Sequence, residues 1–107
     1  HQIMLHYIYI NMNTRNIQPT NLWTPSGEKE ATILSLYNFS DYHFDDGGGK
    51  VSYKLIGMEA PEVGQPEVAV DYYSGVVDIP AAIIQQWGAS DDVIWTYVSN
   101  QLNLILI

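Results

Sequence analysis

The chain has 107 residues, 47% of them hydrophobic and 15% charged, with no cysteine. That excludes two ordinary domains, a disordered tail, a disulfide framework and thiol chemistry. Twelve acids against four bases give a net charge of −8, and residues 28–107 hold every acid. A surface of that sign repels phosphate backbones and anionic bilayers, so neither nucleic acid nor membrane is expected as a partner.

Residues 1–11 contain the apolar run Ile3-Met4-Leu5-His6-Tyr7-Ile8-Tyr9-Ile10. It is too short to span a bilayer and lacks the basic start and cleavage site of a secretory signal. Met12 follows as a natural start. The expectation is that 1–11 is a non-native extension or an extra edge strand, and that 12–107 is one domain. Residues 13–27, polar and broken by Pro19, Pro25 and Gly27, read as an irregular arm. Trp23 within it is expected to tuck against the core margin.

Residues 30–44 carry frequent aromatic and β-branched side chains, and Tyr42 and Phe44 alternate with Asp41, His43 and Asp45. A period of two predicts a strand rather than a helix. Asp45-Asp46-Gly47-Gly48-Gly49 is a tight connection. Val51, Tyr53 and Leu55 then alternate with Lys50, Ser52 and Lys54, the signature of a strand wet on one face and paired in an antiparallel hairpin. Val68, Val70 and Tyr72 begin another strand, with a bulge expected at Gly75.

After Asp78-Ile79-Pro80 the period changes. Ile79, Ile83 and Trp87 fall at four-residue spacing and predict a short helix stopped by Gly88. Ser90-Asp91-Asp92 opens a second helix, with acids at its positive end. Continued through Leu104-Ile105-Leu106-Ile107, that helix would carry an apolar arc of roughly 220°. So wide an arc predicts either that the helix is sandwiched or that Trp95 and its neighbours face another subunit; the candidate interface is Trp95, Tyr97, Leu102 and Leu106, joined by Tyr73 from the sheet. The fold class expected is α+β: a small antiparallel sheet of three to five strands followed by two C-terminal helices.

Chemistry has little to build on. Asp41, His43 and Asp45 on one strand face would stand ~7 Å apart in succession, which could grip a divalent ion. An EF-hand reading fails, because glycine arrives one place late and Ser52 stands where a bidentate Glu is needed. No nucleophile elbow, phosphate loop or dinucleotide fingerprint is present. The expectation is a non-enzyme without cofactor or metal, with Asp41, His43 and Asp45 as a polar face running into a turn.

Three phrases carry a resemblance: Leu22-Trp23-Thr24-Pro25-Ser26-Gly27, Leu34-Ser35-Leu36-Tyr37-Asn38-Phe39, and Val77-Asp78-Ile79-Pro80 through Trp87-Gly88 to Asp91-Asp92-Val93-Ile94. In these the chain resembles small virion or tail-associated proteins of tailed bacteriophages. The resemblance implies a structural role in the virion or host cytoplasm, and it carries over no catalytic or ligand-binding residue. The function expected is a structural or assembly protein acting through protein contacts. The alternative is an acidic inhibitor or immunity-type module binding a basic protein.

Overall fold

Alternation of apolar and polar residues is carried into the structure most directly by the strand over Gly49–Glu59, where every second residue is buried as far as Gly57. The computed structural model describes residues 13–41, 48–87 and 90–107. Four strands, β1 (Asn13–Thr24), β2 (Gly27–Asp41), β3 (Gly49–Glu59) and β4 (Val68–Ile79), form an antiparallel meander in the order β1-β2-β3-β4. Two helices follow, α1 (Ala81–Gln85) and α2 (Asp92–Gln101). This is the α+β arrangement expected. At ~3.3 Å per residue the fifteen residues of β2 account for the 50 Å length of the molecule, which is only 23 Å across.

The strand expected at 30–44 is present as far as Asp41 and begins earlier, at Gly27; residues 42–44 lie outside the described residues. The irregular arm does not: residues 13–24 are a full strand paired with β2 from Asn13↔Leu36 to Thr24↔Gly27. Backbone pairing needs no apolar side chains, and both prolines sit where no ladder donor is required. Pro19 lies in the register shift between Asn16 and Thr20. Pro25 stands at the second position of the turn 24–27, with Gly27 at φ +109° completing it, the residue preferences of a type I turn. The Thr24 hydroxyl donates to the Gly27 carbonyl at 2.8 Å and accepts from the Ser26 amide at 3.2 Å.

Gly75 is not the bulge. It pairs in register with Tyr53, and the shift between Leu55 and Ile56 places the extra residue at Tyr72. Glycine is needed at 75 because a Cβ there would stand 2.8 Å from the Tyr53 ring. On β2, Asn38 turns through φ +53° at the shift between Tyr37 and Ser40. That brings Phe39 to the inner face, where it meets the Trp87 ring edge-on at 4.8 Å.

The helices cover one end of the inner face. Leu34, Leu36, Val51, Tyr53, Val77 and Ile79 are buried there with Ile94, Trp95 and Val98 of α2. Ile83 and Trp87 join them as their spacing predicted; the stop expected at Gly88 lies outside the described residues. Asp91 caps α2 by position only, its carboxylate accepting instead from the Trp87 indole at 2.8 Å.

The helix does not run into the tail. Asn103 adopts φ +57°, the Leu104 amide donates to the Ser99 carbonyl at 2.8 Å, and the Asn103 amide donates to Asn100 at 3.2 Å. This is a Schellman stop built on asparagine. Residues 104–107 then alternate in and out and lie along the outer edge of β1: the Gln18 amide donates to Ile105 at 2.8 Å and the Ile107 amide to Asn16 at 3.2 Å. Much of the 220° arc was therefore never on one helix.

Candidate interaction surface

Strands that outrun their helices leave a sheet bare on both sides. Register fixes which residues these are. On the outer face Ile33 pairs with Ile56 and Tyr37 with Ser52; all are half-buried, and no described element lies over them. Lys54 crosses this face, its ammonium 3.1 Å from the Asp71 carboxylate and 5.3 Å above the Tyr37 ring, so its stem shields apolar surface. Asp71 raises the Lys54 pKa, first by hydrogen bonding and then by charge. Met58 and Val76 stay exposed beside it.

The β1–β2 tip approaches β4, its Thr24, Pro25 and Ser26 lining one cleft with Val70, Asp71 and Tyr72. Trp23 is 83% exposed there, which corrects the expected tuck. It pairs with Glu28, and Asn21 pairs with Glu30 on the same outer side. Trp23 follows Leu22 on the strand, so its indole falls on the face opposite the core. Leu22 and Tyr72 pack on the core margin in its place.

On the inner side of the bare half, a cleft of about 280 Å³ is lined by residues including Lys29, Glu59, Val70 and Tyr72. The Tyr72 hydroxyl donates to the Glu59 carboxylate, and the Lys29 ammonium stands 3.4 Å from the same carboxylate. The Tyr72 hydroxyl holds Glu59 below its ordinary pKa, with Lys29 adding to the effect. Burial, followed by the carboxylate, pushes Tyr72 up to about 12. Gly57 makes the arrangement possible, since a Cβ there would stand 2.2 Å from the Tyr72 ring. The groups satisfy one another. The cleft is a closed polar contact on an open surface.

The residues singled out from the sequence fall in different places. Trp95 is 0% exposed, with the Arg15 guanidinium 4.8 Å from its ring centre, and so presents no surface to a partner. Its indole N–H has no hydrogen-bond acceptor among the described residues. Arg15 continues to Asp92 at 2.8 Å and lowers that carboxyl's pKa. Tyr97, Leu102 and Leu106 are half-buried around the core, whereas Tyr73 is 56% exposed on the edge strand. Exposure at the tail belongs to Ile105 and Ile107. Asp41 ends β2 opposite Gly49; its side chain, His43 and Asp45 lie outside the described residues. Among the described residues no group of three acidic or imidazole side chains could hold a metal, and no helix is long and apolar enough to cross a membrane.

Sequence reasoning missed Trp23, Met58 and Val76. Period two would have placed Met58 and Val76 on a wet face, but only the position of the helices says how far that face extends. No family model, curated protein or solved structure matches the chain.

Proposed function

We propose that this is a non-enzymatic structural or assembly protein that works through protein contacts, as a virion component of a tailed bacteriophage would. The observation that carries the reading is the bare half of the sheet. Trp23, Met58 and Val76 on the outer face, with Val68 and Tyr73 on the inner side of the edge strand, are large apolar side chains left in water on extended, hydrogen-bonded strands. Aromatic side chains on rigid strands are effective anchors, because little side-chain freedom is lost on docking. The support differs from the sequence-based argument: the sheet, not Trp95 and α2, supplies the surface.

The alternative, an acidic module that captures a basic protein, draws on the tip. Trp23 shares its outer side there with Glu28 and Glu30. Such a contact weakens steeply as salt is added.

Photo-crosslinking residues placed at Trp23, Met58 and Val76 of the full chain test the reading in lysate of the native source. Discrete crosslinked products from these positions, absent from the exposed α2 position Gln101, are expected. Equal labelling at all four positions would overturn the assignment of contacts to the sheet.

A further inference from the structure

The two edges of the sheet are treated differently. The β1 edge takes the tail: residues 105 and 107 exchange backbone hydrogen bonds with 18 and 16, and Pro19 interrupts the edge just beyond. β4 ends the strand order, and no described segment pairs with its outer side. Its twelve residues include no proline and no lysine, the usual guards of an open edge. Its one irregularity, at Tyr72, leaves Tyr73–Ile79 as an unbroken run of seven.

Resting on the contact reading above, we infer that the occupant of this edge is the β4 strand of a second copy, paired antiparallel about a two-fold axis at Val76. A two-fold pairing must be self-complementary, and this run is so in that register. Val76, 58% exposed on the outer face, meets its own symmetry mate. Gly75 faces Val77, Ser74 faces Asp78, and Tyr73 faces Ile79, so apolar groups share the inner face and each Asp78 meets a hydroxyl. An axis at Asp78 would set carboxylate against carboxylate, which is destabilising for residues directly opposite. An axis at Gly75 would leave no side chain on the axis. The remaining edge acid, Asp71, is neutralised within its own sheet by Lys54 at 3.1 Å. The product is an eight-stranded sheet with both bare halves projecting outward.

Each copy carries −8, so added salt should strengthen this dimer, opposite to the response of a complex with a basic protein. Sedimentation velocity on the full chain is expected to show a dimer that grows with salt. Val76→Lys and Val76→Glu should each weaken it by ~tenfold or more, while an equimolar mixture of the two restores it. Val76→Cys in this cysteine-free chain should oxidise to a covalent dimer far faster than Thr96→Cys on α2. Position 76 is exposed, and unchanged circular dichroism confirms that each variant folds. A dimer indifferent to both charges, or a mixture that stays monomeric, overturns the β4 pairing. If crosslinks from Trp23 and Met58 persist in that event, the contact reading stands and only this partner is lost.

Discussion

The covered and bare halves of the sheet are built from the same four strands, yet they obey different rules. Under the helices, Leu34, Leu36, Val51 and Val77 interlock with Ile94, Trp95 and Val98, and every one of them is buried. Beyond them the two-residue period is broken on β2 and at Tyr72 of β4, and among Lys29, Glu59 and Tyr72 the contacts become polar and half-wet. Strand formation therefore needs only partners for the backbone, whereas stability is concentrated where a second layer removes apolar surface from water.

The sharpest test of this contrast sets one tryptophan against another. Trp95→Ala should cost about 3–5 kcal/mol, read from the urea midpoint, because a large enclosed side chain leaves a cavity among Ile94, Val98 and the sheet. Gly57→Ala probes the bare half where it is tight. The added methyl would meet the Tyr72 ring at 2.2 Å and the Glu30 carbonyl at 2.6 Å, and overpacking of this kind costs about 1–3 kcal/mol. No loss of stability there would mean that the bare half is looser than its geometry.

Tyr72→Phe gives a smaller, pH-dependent effect. Glu59 has a folded pKa below its ordinary value, so its contribution is present above the ordinary carboxyl range and is lost as pH falls through the folded value. Tyr72 is shifted the other way, from 10.0 to about 12, so its contribution is complete below pH 10.0 and lost as pH rises towards about 12. The stability difference between wild type and Tyr72→Phe, followed by urea denaturation across pH, should therefore shrink at both ends. A difference independent of pH would remove the Glu59–Tyr72 contact from the account. Trp23→Ala should change stability least, within about 0.5 kcal/mol, and reduce the crosslinking yield from Met58 if the tip and the outer face bind together.

Much of the fold was legible in the residues themselves. The alternation at Val51, Tyr53 and Leu55 names a strand because backbone period and side-chain burial coincide there, and the break at Pro80 marks where strand gives way to helix, although of Ile79, Ile83 and Trp87 only Ile83 lies within that helix. Residues 13–24 were illegible for the converse reason: in a strand lying largely outside the core, hydrogen bonding to β2 replaces apolar patterning as the stabilising term. Asn103 was overlooked as a stop since Leu102, Ile105 and Leu106 continue a helical spacing across it, while asparagine's tolerance of positive φ is a weaker signal than glycine's.

The proposed interaction surface was legible only as a tendency. Composition and charge, the strands β2 to β4 and the starts of the two closing helices follow from local chemistry, since each depends on near neighbours in sequence. Which face each side chain finally meets was decided in three dimensions. A ten-residue helix covers about 15 Å of a sheet 50 Å long, and where it lies fixes that Trp95 is sealed in while Trp23, equally apolar by sequence, stands in water.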